Sequence, residues 1–177
     1  MKLLPTASQT VGPYLHIGLA WLTIDRISPA GLPGEYFTIG GQVHDGGGQP
    51  VTDALIEIWQ ANSAGQYGGP GFLGFGRMPT DADGRFEFQT IKPGAVADPR
   101  GGQQAPHLLV SIFMRGLLKR LVTRIYFPDE PQNADDFILC RVPAERRNTL
   151  VARQVAPGVL RWNVILQGDA ETVFFDC

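Results

Sequence analysis

Glycine and proline interrupt this chain so often that long regular elements do not fit between them. The sequence holds 22 glycines and 14 prolines in 177 residues, together about a fifth of the chain. Both residues mark turns, so their recurrence predicts short strands joined by turns. The length and a hydrophobic content of 44% suit a single domain with one core.

The segments between these breaks alternate with a period of two, as half-buried strands do. In ALIEIWQAN (54–62), Glu57 lies on the face opposite Ile56 and Ile58, and Phe86 and Phe88 flank Glu87 in the same way. At least seven strand candidates result: 35–45, 54–62, the part of 80–94 that follows the Asp83-Gly84 turn, 107–116, 121–127, 161–168 and 171–177.

One helix is predicted, over Val142–Val155, where Pro143 suits a first helical position and Glu145 lies in the first turn. Many short strands with one short helix are typical of an all-β protein, and a two-sheet β-sandwich is the architecture we expect. We assign this domain to residues 35–177.

Residues 1–34 form an N-terminal arm without a clear period. The arm is rich in apolar residues, namely Leu15, Ile17, Leu19, Trp21 and Leu22. Because apolar surface outside a closed core usually marks an interface, we expect the arm to lie against the domain, a partner chain or both.

Charge and cysteine content exclude several classes of function. The net charge is −2, with 15 basic and 17 acidic residues spread along the chain, so no basic surface for nucleic acid or an anionic membrane is predicted. Cys140 and Cys177 are too few for a disulfide framework. Neither a signal peptide nor a membrane span is predicted, and we expect a cytoplasmic protein.

Short catalytic motifs are absent from the sequence. Its three histidines, His16, His44 and His107, form no HExxH or strand-spaced pair, and no CxxC or GxSxG occurs. The glycine-rich GGPGFLGFG (68–76) has no following lysine and is predicted to be a loop rather than a phosphate-binding site. The residues alone give little support to self-contained catalysis.

Longer motifs carry a resemblance that covers nearly the whole chain. TASQTVGPY (6–14), VTDALIEIWQANSAGQY (51–67), TDADGRFEFQTIKPG (80–94), a Pro-His step before a β-run (106–107) and TRIYFPDE (123–130) occur in this order. Together they resemble the intradiol ring-cleaving dioxygenases, which are β-sandwich proteins of immunoglobulin-like or transthyretin-like arrangement.

The resemblance implies a non-haem iron enzyme of aromatic catabolism, in the β-ketoadipate pathway. Members of this family hold Fe(III) through two tyrosinates and two histidines, and the ferric ion binds a catechol as its dianion. O2 then opens the ring between the two hydroxyl-bearing carbons. The substrate implied here is protocatechuate (3,4-dihydroxybenzoate), which gives a carboxymuconate.

Only two of the family's four iron-ligand positions hold a ligand residue in this chain. Tyr67 of AGQY matches the first tyrosine, whereas KPGAV places Val96 where catalytic chains read KPGPY. QAPHLL matches a RPAHIH segment, which gives His107 for the first histidine and Leu109 for the second. Gln104 stands where that segment has its arginine.

This pattern is similar to the noncatalytic α chains of the family, which assemble with a homologous iron-bearing β chain. The resemblance implies that Fe(III) is held by the β partner in an (αβ)n assembly and that no catalytic or metal-binding residue lies in this chain. It also implies that residues of the TVGPY arm and one arginine reach the partner's substrate pocket. Those positions are Thr10, Gly12, Pro13, Tyr14 and Arg115.

Simpler interpretations stand beside these residue roles. His107 alone is more often a hydrogen-bonded strand histidine than a ligand, and Tyr67 is interpreted as a ligand remnant that now only packs. Arg115 alone would be an ordinary turn residue. Trp59 is assigned to the core or an interface.

Two arginines are expected to form ion pairs at the surface, and two alternative functions stay open. Arg120 and Arg124 are expected to pair with Asp129 and Glu130. The alternative functions are a self-sufficient intradiol dioxygenase whose missing ligands are replaced by other residues, and a noncatalytic β-sandwich interaction module.

Overall fold

A computed structural model describes residues 5–176 of the chain. Within this range it contains eleven β-strands, two short α-helices and three 3-10 segments. The strands are β1 (Tyr36–His44), β2 (Leu55–Trp59), β3 (Phe75–Pro79), β4 (Arg85–Ile91), β5 (Val96–Ala97), β6 (Gln103–Gln104), β7 (His107–Phe113), β8 (Leu121–Tyr126), β9 (Arg153–Ala156), β10 (Val159–Arg161) and β11 (Val164–Ile165). The helices are α1 (Tyr14–Leu19) and α2 (Phe137–Arg141), and the 3-10 segments are Ala20–Leu22, Pro131–Ala134 and Ala144–Leu150.

Two sheets form the body of the protein. In the first sheet β1 pairs antiparallel with β4 and parallel with β10 and β11, and β9 pairs with β10. In the second sheet the order is β3-β2-β7-β8, and every pair is antiparallel. The predicted all-β, two-sheet sandwich is confirmed.

Alternation along the strands builds the core between the sheets. Phe86 and Phe88 of β4 are buried while Glu87 between them is exposed, as predicted. The inner face of the second sheet supplies apolar side chains from β2 and β7, such as Ile58 and Val110. Burial of this continuous apolar layer is the main favourable term in folding.

The predicted helix over Val142–Val155 is wrong in type and in extent. Only Ala144–Leu150 is helical, as a 3-10 segment, and α2 lies before the predicted start. Val151 instead forms a parallel bridge with Tyr126, and the Ala152 N–H donates to the Tyr126 carbonyl oxygen at 3.0 Å. The chain therefore leaves the helix to pair with β8 and then enters β9.

The two strand predictions near the C-terminus are only partly right. The 161–168 segment is divided into the end of β10 and the short β11, because the Asn163 side chain accepts from the Gln42 N–H at 3.1 Å between them. The 171–176 segment forms an isolated bridge between Phe175 and Val122 instead of a strand. Cys177, the last residue of that prediction, lies outside the described residues.

The described part of the arm is irregular over residues 5–13, then helical, and finally joins both sheets. After α1 and the Ala20–Leu22 segment, Ile24 bridges to Arg77 of β3 and Arg26 bridges to Gln89 of β4. Ile27 is buried in the core. The division of the chain at residue 34 stays a prediction, and residues 1–4 lie outside the described part. Among residues 5–176 no helix has the length and apolar character needed to cross a bilayer.

A buried carboxylate joins three elements at one end of the second sheet. Asp136 is fully buried and caps α2, where its side chain accepts from the N–H groups of Ile138 (3.0 Å) and Leu139 (2.8 Å). It also accepts from the Ala105 N–H before β7 and from the Tyr126 hydroxyl of β8, each at 2.9 Å. A carboxylate with four donors is fully hydrogen-bonded, so its burial is tolerated.

We predict that Asp136→Asn lowers the free energy of unfolding by about 1.5 to 3 kcal/mol, because one carboxylate oxygen becomes an amide donor that faces donors. Urea denaturation measures this change. Asp45 is a matched control: its side chain accepts from the N–H groups of Gly47 and Gln49 in a surface turn, a role that asparagine also fills. Asp45→Asn should stay within about 0.5 kcal/mol, and equal effects at both positions would contradict the role given to Asp136.

Candidate functional site

Asn62 shapes the loop that carries Tyr67. Its side-chain oxygen accepts from the N–H groups of Ala64 (2.9 Å) and Gln66 (3.1 Å). Asparagine favours such turns because its short side chain can replace a backbone acceptor. This local hydrogen bonding fixes the loop just after β2 and so determines where Tyr67 lies.

Two glycines bring the Tyr67 loop against the loop that carries Val96. Gly65 has φ +77°, and a Cβ at this position would collide with the carbonyl oxygen of Ala95. Gly94 donates its N–H to the Asn62 carbonyl oxygen at 2.9 Å, and a side chain there would collide with backbone too. The AGQY and KPG motifs therefore share one structural requirement, the close approach of two backbones.

Tyr67 lies on an aromatic surface. Its ring stacks on Trp59 with centroids 6.2 Å apart and planes inclined by 10°, and each residue is 40% exposed. Trp59 is therefore not a core residue, and its assignment to an interface stays a prediction. Partial burial raises the pKa of the Tyr67 hydroxyl, and the nearby Arg124 cation opposes this rise.

Strand register places Leu109 beside an arginine. Trp59 of β2 lies opposite Leu109 of β7, which in turn lies opposite Arg124 of β8. Directly opposed residues in antiparallel strands have side chains on the same face of the sheet. The position predicted for the second histidine ligand thus holds a leucine that lies between an indole and a guanidinium.

His107 is a buried strand histidine. It is 2% exposed, lies opposite Tyr126, and its Nδ1 lies 2.7 Å from the Ala105 carbonyl oxygen. Because a carbonyl oxygen only accepts, Nδ1 carries the hydrogen of this bond. Burial, followed by the charge of Arg124, lowers the pKa of His107 to about 4, so the ring is neutral near pH 7.

The hairpin formed by β5 and β6 carries Val96 opposite Gln104. Asp98 and Arg100 fix its turn through two side-chain hydrogen bonds of 2.9 and 2.7 Å, and these hold the pKa of the Asp98 carboxyl near 2. The Arg100 guanidinium lies 3.3 Å from the ring centroid of Phe137, which ties the hairpin to α2. The Gln104 side-chain oxygen is buried without a hydrogen-bond partner among residues 5–176.

The four ligand positions, Tyr67, Val96, His107 and Leu109, do not fit ferric iron. Valine and leucine offer no lone pair, so a phenolate and one imidazole would be the whole set, well short of what stable coordination needs. Within residues 5–176 no group of three or more His, Cys, Asp or Glu side chains could hold a metal ion. Arg124 adds a fixed positive charge near both Tyr67 and His107, which further disfavours a cation.

A second region forms where the arm meets the turn after β7. Gly12, Pro13 and Arg115 line one groove, together with Asp53 from the β1–β2 connection. Thr10 lies beside the groove, where its hydroxyl accepts from the Gly116 N–H at 2.8 Å. Tyr14, at the start of α1, is 81% exposed and does not line the groove. The structure thus brings four of the five predicted substrate-contact positions together, and their role stays a prediction.

Several charged residues have hydrogen-bond or ion-pair partners that the sequence did not indicate. The expected pairing of Arg124 with Asp129 or Glu130 is wrong: Arg124 donates to the Tyr126 hydroxyl at 3.3 Å, and Glu130 pairs with Lys92 at 3.0 Å. The Asp53 carboxylate pairs with Arg115 across 62 positions of sequence. The alternation of TRIY could have revealed that Arg124 shares a face with Tyr126, but contacts between distant segments leave no local signal.

Sequence comparison finds one matching protein family and several similar proteins. The family model described as Dioxygenase matches residues 23–168. The α chain of protocatechuate 3,4-dioxygenase from Burkholderia cepacia is 43% identical over 97% of this chain and 96% of its own length. The β chain of the enzyme from the same organism is 42% identical over 82% of this chain and 66% of its own length.

A solved structure gives the same result for the fold. The dioxygenase domain of a dioxygenase and carbohydrate-binding protein fusion from Streptomyces sp. SirexAA-E superimposes with a TM-score of 0.66 at 29% identity. The match covers 82% of this chain and 88% of that domain.

We predict that acidification weakens the fold through His107. The pKa of His107 is lowered from an ordinary value of 6.5 to about 4 in the folded state. Between these two pH values the unfolded chain binds more protons than the folded chain, so the free energy of unfolding falls as the pH decreases. Arg124, the Asp136 carboxylate and the Tyr126 hydroxyl are the charged or titratable groups near the ring. Between pH 7 and 5 the wild type should lose about 1 to 2 kcal/mol more than His107→Gln in urea denaturation. Identical pH dependence in the two proteins would contradict this prediction.

Proposed function

The chain belongs to the intradiol dioxygenase family, and we propose that it acts as the α chain of a protocatechuate 3,4-dioxygenase. In this proposal a homologous β chain holds the iron, and the chain described here completes the substrate pocket. The observation that carries the proposal is the composition of the four ligand positions, of which only Tyr67 and His107 could bind iron. The presence of α and β relatives that both match this chain supports a two-chain assembly.

The contribution of this chain to the reaction is recognition of the substrate. Protocatechuate carries a carboxylate, and the Arg115 guanidinium, 70% exposed at the edge of the groove, is a suitable partner for it. Gly12 and Pro13 offer a rigid wall without long side chains, which suits contact with a flat ring. Thr10 holds the turn of Arg115 against the arm, and Tyr14 extends from the same segment.

The iron chemistry belongs to the partner chain in this proposal. Ferric iron bound there would supply Lewis-acid activation of the catechol for its reaction with O2. Residues 1–34 act as the arm at the subunit interface, and residues 35–177 as the sandwich domain. The near-neutral net charge of −2 agrees with a small-molecule enzyme of the cytoplasm that binds neither nucleic acid nor membranes.

The arm offers an apolar surface for the partner chain. Tyr14, Ile17 and Trp21 recur at helical spacing through α1 and the following 3-10 segment, and all three are strongly exposed. Leu118, in the turn that Thr10 contacts through Gly116, is 65% exposed. Exposed apolar patches mark interaction surfaces, and tyrosine and tryptophan are enriched among interface hot spots.

We predict that Arg115→Ala raises the KM for protocatechuate in the assembled enzyme, because a charged contact to the substrate carboxylate is lost. The expected loss of binding free energy is about 1 to 3 kcal/mol, with iron content unchanged. Steady-state kinetics on the complex of the two chains measures it. Arg120→Ala is a matched control, since Arg120 is an exposed arginine that follows the same turn and does not line the groove. An unchanged KM for Arg115→Ala, or an equal change for Arg120→Ala, would contradict the role of Arg115.

We also predict that Trp21→Ser weakens assembly with the β chain by about 2 kcal/mol or more, because an interface indole is removed. Sedimentation or calorimetric titration of the purified chains would measure the dissociation constant. Val155→Ser provides the control, as Val155 is 57% exposed on β9, away from the arm in sequence. Equal dissociation constants for wild type and Trp21→Ser would show that the arm surface is not the interface.

A further inference from the structure

Arg115 lies in a turn that does little to fix its side chain. Its side chain is 70% exposed, and the residue follows β7 after Met114 and precedes Gly116, which has φ +87°. A free arginine side chain samples many rotamers, and ordering it on binding costs free energy. An arginine that recognises substrate from such a turn would therefore bind more weakly unless another group held it.

Asp53 is placed to hold it. Its Oδ2 accepts a hydrogen bond from Arg115 Nε, and the Asp53 side chain is only 28% exposed. The next residue, Ala54, is fully buried, and its N–H and carbonyl groups are bonded to Thr80 at 3.1 and 2.9 Å. Asp53 thus projects from a segment that is hydrogen-bonded to the core, whereas Arg115 projects from an exposed turn.

The backbone beside Arg115 is fixed from the other side. The Gly116 N–H donates to Thr10 Oγ1 at 2.8 Å, which ties the turn to the arm. The side chain of Arg115 is held by Asp53 and its backbone by Thr10. Both contacts meet at the groove that Gly12 and Pro13 line.

The atom that Asp53 uses determines what remains for a ligand. An arginine has five N–H donors, and Nε carries one of them. Within residues 5–176, Arg115 has no hydrogen-bond or ion-pair partner except Asp53, so its two terminal amino groups stay available. These two groups form the planar fork that binds a carboxylate through two parallel hydrogen bonds.

We propose that Asp53 is a positioning residue that orients Arg115 for the substrate carboxylate and so helps to select catechols that carry one. This inference rests on the proposed function of Arg115. An exposed ion pair contributes little to folding, so the pair is better explained by its effect on binding than by stability. The competing effect is that the Asp53 carboxylate repels an anionic substrate, and the two effects have opposite signs on KM.

The test is a double-mutant cycle on the enzyme assembled with its iron-bearing partner chain. Asp53→Ala, Asp53→Asn, Arg115→Ala and the Asp53→Ala/Arg115→Ala double variant would be compared with wild type. KM and kcat are measured for protocatechuate and for catechol, which lacks the carboxylate. Thermal unfolding confirms that each variant is folded, and if Asp53→Ala is destabilised, Asp53→Leu, which is close in size to aspartate and offers no acceptor, replaces it in both Arg115 backgrounds of the cycle.

The expected result is a rise of about 3- to 10-fold in the KM for protocatechuate with Asp53→Ala, with kcat within about twofold. Asparagine keeps an acceptor for Nε, so Asp53→Asn should lie nearer to wild type. In the Arg115→Ala background Asp53→Ala should no longer raise KM, because only the repulsion between Asp53 and the anionic substrate is left to remove, and catechol kinetics should not change.

Three results would overturn the proposal: an unchanged or lower KM for protocatechuate with Asp53→Ala, an equal rise in the KM for catechol, or a rise in KM that persists without Arg115. The outcome for Arg115→Ala separates this inference from the one it rests on. If Arg115→Ala raises KM and Asp53→Ala does not, only the positioning role is wrong. If Arg115→Ala leaves KM unchanged, the proposed function of Arg115 itself is wrong.

Discussion

The buried carboxylate of Asp136 is the constraint on which this end of the molecule depends. It joins the start of α2, the segment before β7 and the hydroxyl of Tyr126 on β8. Asp136 fixes Ala105 by accepting a hydrogen bond from its N–H. The carbonyl oxygen of Ala105 then sets the orientation of His107. A desolvated carboxylate is tolerated only with all its donors in place, so these elements can hardly move independently. The geometry around His107 is therefore maintained by folding requirements and needs no metal.

The conformation of the Tyr67 loop is likewise maintained by contacts that do not involve a metal. Asn62, Gly65 and Gly94 bring two loops together through backbone contacts that are the same whether residue 96 is a valine or a tyrosine. The AGQY and KPG motifs can therefore be kept with Val96 and Leu109 at the two other predicted ligand positions. Arg124, placed by strand register beside Leu109, gives the region a resident positive charge. The fold of the family is preserved here, whereas Val96 and Leu109 offer no lone pair to a metal.

Much of the fold could be predicted from local pattern, because a period of two identifies strands wherever one face is buried. Phe86 and Phe88 illustrate this, and so does the frequency of glycine and proline between strands. The helix prediction over Val142–Val155 failed because the bridge between Val151 and Tyr126 overrides local propensity. The role of Asp136 also escaped prediction, since two of its donors, Tyr126 and Ala105, lie 10 and 31 positions away in the sequence.

For the candidate site, the resemblance could place single residues but not their partners. It indicated Arg115 and the Gly12-Pro13 step, and the structure brings these into one groove. Asp53 lies 62 positions away from Arg115, and no motif links the two. The acidic residues that follow it in sequence suggest a surface ion pair for Arg124, whereas strand pairing places it opposite Leu109 and alternation along β8 places it beside Tyr126. Contacts between strands that are distant in sequence are what the sequence alone does not reveal.

The central claim is that this chain serves an iron enzyme without binding iron itself. Its most direct test is the iron content and visible absorption of the chain purified alone, compared with the chain co-purified with its β partner. We expect a colourless, iron-free protein when the chain is purified alone, and stoichiometric iron with a tyrosinate-to-Fe(III) absorption band in the complex. Stoichiometric iron and the same band in the chain alone would contradict it.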